Sequence, residues 1–402
     1  MKKIFLPLVL LLLLQVSCKE SVIEPPSGKP PGWQEDIPWP SLADSPWPMR
    51  HSDPQSTGRS NSDGPMIGQV EWQIESQYLG AEPILSKDSV IFIPFKDSLF
   101  AVKVSGSMIW KTKLGVETIS APLLSSSNNI YSGYNQGGIF KLDTSGIIDW
   151  SLPGNFDSQI NISKDGEILF FNEMGELISI SPSGNLLWTF FNPDFKPGAS
   201  ISFSPDGKSI YFPGKTHPLI AFDLNSKSVK WNIGDSNYRG APLVDSYGNI
   251  YLTMKIDSLN NGQTAFFCVS PDRSVRWLFT HYEYSNRPGE GIWNLHGEPT
   301  LDKKGNIYFG SDTLYSLDFN GNLRWKKEMK ISPAASLICD GNNNLYLIKD
   351  YSNYFSVICL NTEGLLKWHI DNLAGESTSA GMIIGFSKLY VPTMDGILYA
   401  IH

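Results

Sequence analysis

Alternating apolar and polar residues recur along this chain in a phrase that ends in tryptophan. In "LISISPSGNLLW" (residues 177–188) and "LYSLDFNGNLRW" (residues 314–325), an alternating stretch leads into a Gly-Asn turn and then into the tryptophan. Alternation with a period of two, interrupted by a cluster of Ser, Asp, Asn and Gly, is typical of a β-hairpin. Each phrase therefore predicts two antiparallel strands, with the tryptophan at the start of the second.

The phrase returns at the spacing of a structural repeat. Between copies lie two further strand-like segments, one such as "SAPLLSS" and one apolar-aromatic segment such as "GNIYFGS". Complete copies, 38 to 48 residues apart, end at Trp110, Trp150, Trp188, Trp231, Trp277, Trp325 and Trp368. Four short strands in each unit of about 42 residues indicate the blades of a β-propeller.

The two ends of the repeat region predict the number of blades. The segment "GQVEW" (residues 68–72) contains a tryptophan strand without its preceding partners, and "GILYAIH" (residues 396–402) contains the partner strand alone. Pairing between them would complete one more blade and remove the exposed edges of an open array. The sequence therefore predicts an all-β, eight-bladed propeller of four-stranded antiparallel blades over residues 68–402. We expect Trp72 and the other seven tryptophans to pack between neighbouring sheets.

The first residues, "MKKIFLPLVLLLLLQVSCKE", have a different pattern. Two lysines precede an apolar run over residues 4–14, which is too short to span a bilayer. The segment resembles a bacterial lipoprotein signal, which implies that residues 1–17 are removed and that Cys18 is lipidated. The alternative is an ordinary secretory signal in which Cys18 is incidental. Residues 18–46 are rich in proline, and we interpret them as a solvated tether.

Composition and charge exclude several classes of function. The 35 glycines and 27 prolines, with only 18% charged residues, favour turn-rich β-structure. The formal net charge is −8, and no run of basic residues offers the footprint that a nucleic acid needs. Cysteines 268, 339 and 359 form no closely spaced pair, so we expect neither a redox motif nor a metal site.

The phrases "SLDFNGNLRW" and "KLDTSGIIDW" resemble the repeats of the quinoprotein-like (PQQ-like) propeller family, over about residues 46–402. The resemblance implies that residues 47–67 are a lead-in segment that packs on the propeller. Quinone dehydrogenases of the family hold a divalent cation and PQQ over one face, commonly beside a Cys-Cys pair. This chain lacks that dipeptide, a haem-attachment motif and long loop insertions, so we expect no catalysis and no cofactor. This chain resembles the non-catalytic envelope members of the family more closely, such as a lipoprotein of the outer-membrane β-barrel assembly machinery.

Three functions remain open from the sequence. The main prediction is a cell-envelope lipoprotein, anchored to the outer membrane through the lipid on Cys18, whose propeller face binds an envelope protein. The second is a surface module that binds a glycan or another small ligand. The third is a quinone-dependent dehydrogenase. One fold serves many activities, so the propeller by itself does not decide among them.

The loop after Trp277, "THYEYSNRPGEGIWNLHGEPT", is the candidate binding site. A loop of this length is usually functional or disordered, and its aromatic content argues against disorder. Its histidines and glutamates match no metal-ligand spacing (His281, Glu283, Glu290 and His296). We predict a partner face made by this loop and by residues across the channel: Tyr282, Tyr284, Arg287, Trp293 and His296 with Tyr238, Arg239, Phe195, Lys196 and Glu376. The alternative is that the loop residues cap the channel and pack on neighbouring blades.

Overall fold

A computed structural model of the chain shows eight four-stranded antiparallel sheets arranged in a ring. The described residues contain no helix, and the predicted eight-bladed propeller is confirmed. The structure describes residues 28–76, 81–114, 120–134, 138–154, 156, 158–234, 240–255, 264–281, 298–310, 313–329, 331, 336–351, 354–375 and 381–402.

The first four blades follow one another along the chain, after a first strand, β1 (Val70–Glu75), that belongs to the last blade. Blade 1 contains β2 (Ile84–Leu85), β3 (Val90–Phe95), β4 (Ser98–Lys103) and β5 (Met108–Lys113). Blade 2 contains β6 (Leu123–Leu124), β7 (Asn129–Tyr134), β8 (Gly138–Asp143) and β9 (Ile148–Leu152). Blade 3 contains β10 (Asn161–Ile162), β11 (Ile168–Phe171), β12 (Glu176–Ile180) and β13 (Leu186–Phe191). Blade 4 contains β14 (Ser202–Phe203), β15 (Ser209–Phe212), β16 (Leu219–Asp223) and β17 (Ser228–Ile233).

The remaining blades repeat the same order, and blade 8 takes its outer strand from the start of the repeat region. Blade 5 contains β18 (Leu243–Val244), β19 (Ile250–Lys255), β20 (Thr264–Val269) and β21 (Val275–His281). Blade 6 contains β22 (Thr300–Leu301), β23 (Ile307–Gly310), β24 (Thr313–Leu317) and β25 (Leu323–Glu328). Blade 7 contains β26 (Ile338–Cys339), β27 (Leu345–Tyr351), β28 (Tyr354–Leu360) and β29 (Leu366–Ala374). Blade 8 contains β30 (Ile383–Gly385), β31 (Lys388–Pro392), β32 (Ile397–Ile401) and β1.

Blade 8 closes the ring through the pairing that the sequence predicts. Strand β1 pairs antiparallel with β32, with Trp72 opposite Ala400 and Glu75 opposite Ile397. The short first strands line the centre, where β2 lies against β30, β14 against β18 and β22 against β26. The loops between blades lie at one face, which we call the loop face. The turns after the first and third strands of each blade lie at the opposite face, which we call the turn face.

The repeated tryptophans connect each blade to the next. In seven of the eight outer strands the indole Nε1 of the tryptophan donates a hydrogen bond to a backbone carbonyl just before the outer strand of the next blade. For Trp325 the acceptor is Thr362, and for Trp368 it is Pro65. Trp188 is the exception, because its Nε1 donates to the carboxylate of Glu167 at 3.0 Å while its ring stacks on Phe222 of blade 4. The tryptophan at the start of each outer strand therefore lies at a blade boundary.

Part of the segment predicted as a solvated tether lies on the turn face, which corrects that prediction for residues 29–46. Trp39 is buried, and its Nε1 donates to the carbonyl of Ile162 at 2.9 Å. Gln34 is buried as well, and its Oε1 accepts the backbone N–H of Ser246 at 2.8 Å. The prolines keep this stretch extended, but its aromatic and amide side chains find buried partners on the blades. We call residues 29–46 the strap.

Candidate functional site

The central channel is filled on the turn-face side by residues 47–60, which we call the plug. Six of the eight innermost strands each donate a backbone N–H to a carbonyl oxygen of the plug, at nitrogen–oxygen distances of 2.8 to 3.3 Å. The donor and acceptor pairs are Leu85 to Trp47, Leu124 to Pro48, Phe203 to Pro54, Val244 to Gln55, Leu301 to Thr57 and Cys339 to Gly58. Buried backbone N–H groups require such partners, so the plug completes the inner edges of the blades.

The plug holds its shape through a tight loop around His51. His51, Ser52 and Ser56 have positive φ angles of 56°, 73° and 55°, a region in which only a few per cent of residues other than glycine occur. The half-buried carboxylate of Asp53 accepts the backbone N–H groups of Gln55 and Thr57 at 3.0 and 3.1 Å. These bonds stabilise the strained backbone of the loop.

Two buried glutamates bind the inner end of the plug. Glu82 precedes β2 in blade 1, and its Oε1 accepts hydrogen bonds from Trp47 Nε1 at 2.5 Å and from the backbone N–H of His51 at 3.0 Å. Glu298 precedes β22 in blade 6, and its Oε2 lies 2.6 Å from His51 Nε2 and pairs with the guanidinium of Arg50. Glu298 therefore joins two cationic groups of the plug to one wall of the channel.

Glu298 also joins neighbouring blades to each other. Its Oε1 accepts the backbone N–H of Ala241 in the segment that leads into blade 5, at 3.1 Å. Its Oε2 accepts the hydroxyl of Ser336, just before blade 7, at 3.2 Å. One carboxylate thus contacts the plug and the first residues of three consecutive blades.

Burial and charge shift the pKa values of this cluster in different directions. Burial raises the pKa of Glu298, but Arg50 and His51 reverse this effect and hold the pKa well below its usual 4.5. Burial lowers the pKa of His51, but the Glu298 carboxylate outweighs it and raises the pKa above the usual 6.5. Burial raises the pKa of Glu82, and the nearby His51 and Arg50 oppose this shift only in part. The charged forms of His51 and Glu298 therefore stabilise each other.

The stabilisation by His51 should decrease with rising pH. Because the folded-state pKa of His51 is raised, its ion pair contributes fully below the unfolded value of 6.5 and is lost as pH passes the folded value. The contribution of Glu298, whose pKa is lowered, is lost only on acidification. We expect the melting temperature of the wild type to exceed that of His51→Gln by more at pH 6 than at pH 9. A difference that stays constant or grows with pH would contradict the charged pair.

Comparisons with known proteins agree with this geometry. Residues 60–245 match the family model described as outer membrane protein assembly factor BamB. The chain therefore has the PQQ-repeat β-propeller fold. No curated protein sequence matches it significantly.

Solved structures of two kinds share the PQQ-repeat propeller fold. The structure of BamB from Moraxella catarrhalis superposes with a TM-score of 0.62 and 14% identity, over 84% of this chain and 100% of that one. Quinohemoprotein alcohol dehydrogenase from Comamonas testosteroni gives a TM-score of 0.64 and 12% identity, over 88% of this chain and 80% of that one. A europium-containing methanol dehydrogenase gives a TM-score of 0.62 and 10% identity, over 90% of this chain and 99% of that one. Identities this low establish a shared fold and leave the activity open.

The described part of the channel does not fit a quinone and its cation. Glu82 and Glu298 are acidic side chains of the blades at the inner end of the plug, and Trp47, His51 and Arg50 already bind them. A divalent cation needs carboxylate oxygens whose charge is not neutralised by neighbouring cations. The indole ring of Trp47 and the imidazole ring of His51 are themselves buried beside these carboxylates. Within the described ranges, no group of three or more His, Cys, Asp or Glu side chains is placed to hold a metal ion.

Most of the side chains predicted to form the partner face lie outside the described residues. This applies to Tyr282, Tyr284, Arg287, Trp293, His296, Tyr238, Arg239 and Glu376, and also to the predicted lipidation site, Cys18. Phe195 is described, and its place in the predicted face is wrong. It is fully buried among Phe171, Phe190, Phe212 and Phe222 at the boundary of blades 3 and 4. Lys196, the next residue, is half-buried at the loop face.

The glutamates of the channel are a feature that the sequence reasoning missed. Glu82 and Glu298 occupy the position two residues before the first strand of a blade, in "AEPIL" and "GEPTL". At the same position blades 2 and 5 have Ala121 and Ala241. Glutamate at this position in two of the repeats, where others have a small residue, indicates that these two blades contact a cationic group. The cations themselves, Arg50 and His51, lie in the lead-in segment and have no repeat equivalent.

Proposed function

We propose that this PQQ-repeat propeller is a scaffold of the bacterial cell envelope that binds another protein on its outer surface. The match of residues 60–245 to the assembly-factor family carries the proposal. The filled channel supports it, because the plug uses the central site for the protein's own chain and leaves the blade surfaces for a partner. We propose that catalysis and a bound quinone play no part in this function.

Attachment to the outer membrane through Cys18 is the second part of the proposal. It rests on the sequence of the first twenty residues, which resembles a lipoprotein signal. Since the described residues include no helix, none of them forms a helical membrane span. A lipid on Cys18 would hold the strap and its turn face near the bilayer, since the strap begins about ten residues after that cysteine.

Replacement of Cys18 tests the anchor. In Cys18→Ser we expect loss of fatty-acid labelling and release of the protein from the membrane fraction, with an unchanged melting temperature. Cys339→Ser is the matched control for loss of a thiol, because that cysteine is buried in blade 7 and should leave the labelling intact. A wild-type protein that carries no labelled lipid would contradict the anchor.

The scaffold function itself is tested with the folded protein in envelope extracts. A photo-crosslinking residue placed at exposed positions around the ring should give a discrete adduct with a second protein at some positions and none at others. Reduction of an artificial electron acceptor by the purified protein with PQQ, a divalent cation and an alcohol would favour the dehydrogenase function and contradict the proposal.

A further inference from the structure

The outer strand of blade 3 differs from the other seven in its lack of charge. In each outer strand the residues one before, one after and three after the tryptophan lie on the same side of the sheet, because side chains alternate. In blade 3 these are Leu187, Thr189 and Phe191. The other seven strands each carry charge at one or more of these positions: Glu71, Glu75, Lys111, Lys113, Asp149, Lys230, Arg276, Arg324, Lys326, Glu328, Lys367 and Asp371. Charged side chains on an edge strand block pairing with a foreign strand, and β13 lacks this protection.

The uncharged strand is also exposed. Leu186, Leu187 and Phe191 are 64%, 48% and 59% exposed, and the turn before them, residues 181–185, has no charged side chain. Such a row of large apolar side chains on an open edge is usual at a site that binds another chain. The outer strand of blade 3 is therefore the part of the described rim that is best suited to pair with a partner.

An apolar groove of about 550 Å³ runs beside this strand, between blades 2 and 3. It is lined by Ile139, Leu152, Phe170, Ile178, Ile180 and Leu186. Ile178 on β12 is opposite Thr189 on β13, so the groove lies on the same side of the sheet as Leu187, Thr189 and Phe191. A chain that pairs with β13 would place every second side chain toward this groove.

The charges around the groove indicate the chemistry of the partner. Glu176 is opposite Phe191 at the loop-face end of β13, and Glu173 lines the same end of the groove. A basic residue at one end of the partner segment would be complementary to these carboxylates. An open strand edge also presents backbone donors and acceptors that an extended strand satisfies and a helix does not.

We propose that blade 3 binds an edge strand of a partner protein, which adds to β13 as a fifth strand. Its alternate apolar side chains enter the groove, and a lysine or arginine at one end meets Glu173 and Glu176. This inference rests on the proposed scaffold function and names the docking surface and the kind of partner segment.

The test begins with a photo-crosslinking residue at Leu187 in the full-length protein, in cells that express it natively. The crosslinked peptide of the partner is identified by mass spectrometry, and the partner is then purified. Hydrogen exchange of residues 186–191 is expected to slow when the purified partner is added. Thr189→Lys is expected to weaken binding about tenfold or more, because it would place a positive charge beside the apolar side chains of the partner strand.

The control variants are chosen from the repeat itself. Blades 1 and 6 have Lys111 and Lys326 at the position of Thr189, so the fold accepts lysine there. Ser151→Lys places the same charge on blade 2, on the side turned away from the groove, and should leave binding unchanged. Phe191→Glu is a second variant, because blades 8 and 6 have Glu75 and Glu328 at its position.

Three results would overturn the inference: a crosslinked peptide from a helix or a loop, an adduct with a second copy of this chain, or wild-type affinity in Thr189→Lys and Phe191→Glu. A crosslinker at Lys196 on the loop face separates this inference from the scaffold function. Adducts from Lys196 without any from Leu187 would leave the scaffold function intact and exclude docking at blade 3. Absence of adducts at both positions would count against both.

Discussion

Deletion of residues 397–402 is expected to unfold the whole propeller and not only its last blade. The deletion removes β32, which lies between β31 and β1 in blade 8. Leu398, Tyr399 and Ile401 are buried in this strand, and side chains of this size contribute about 2 kcal/mol each on burial. Together with the lost backbone pairs, this loss is comparable to the total stability of a typical domain, about 5–15 kcal/mol.

The loss should be global because blade 8 lies between blades 7 and 1. Trp368 of blade 7 donates its indole N–H to Pro65, just before β1, and Trp72 of blade 8 donates to Val104 of blade 1. Circular dichroism and thermal unfolding of the truncated protein should therefore show no cooperative transition. Deletion of His402 alone is the control, since it removes only the two backbone bonds with Gln69 and leaves β32 in place. A six-residue truncation that melts like the wild type would contradict closure by this strand.

The blades could be predicted from the sequence because their pattern is local. A hairpin is encoded by alternation, a turn and a tryptophan within about twelve residues, and the repeat displays this signal many times. Small departures inside the repeat could not be predicted in the same way. The tryptophan follows the aspartate of the turn by seven residues in blade 6 (Asp318 and Trp325) but by eight residues in blade 4 (Asp223 and Trp231). Trp188, which faces the altered turn, binds Glu167 of its own blade instead.

The strap and the plug could not be placed from the sequence because their partners are distant along the chain. Prolines in residues 29–46 are compatible with a solvated tether and equally with an extended strap on a surface. Only the fold brings Trp39 to Ile162 and Gln34 to Ser246. Phe195 shows the same limit for the candidate site. Its position in a loop predicted exposure, but four phenylalanines from blades 3 and 4 enclose it.

Removal of the Glu298 carboxylate should be the most destabilising single substitution in the channel. Glu298→Ala would remove the carboxylate that pairs with the guanidinium of Arg50 and the imidazole of His51. It would also remove the acceptor of the Ser336 hydroxyl and of the N–H of Ala241. Breaking a buried ion pair by removal of one partner typically costs about 3–5 kcal/mol. We expect a loss of this size in the free energy of unfolding, measured by chemical denaturation.

Two further variants separate charge from packing in this cluster. Glu298→Gln keeps the shape and one acceptor oxygen, so it should retain the bond from the N–H of Ala241, while its amide nitrogen can donate to the Ser336 hydroxyl. It should therefore lose less stability than Glu298→Ala. Glu35→Ala breaks an exposed pair with Lys29 whose nitrogen–oxygen distance is 2.7 Å, and exposed pairs contribute about 1 kcal/mol or less. If Glu298→Ala cost no more than Glu35→Ala, the plug would be held by its backbone bonds to the inner strands, and the charged cluster would not be needed for its stability. The double variant Glu298→Ala with Arg50→Ala measures the coupling between the carboxylate and the guanidinium. That coupling is the amount by which the double variant's loss in the free energy of unfolding falls below the sum of the two single losses.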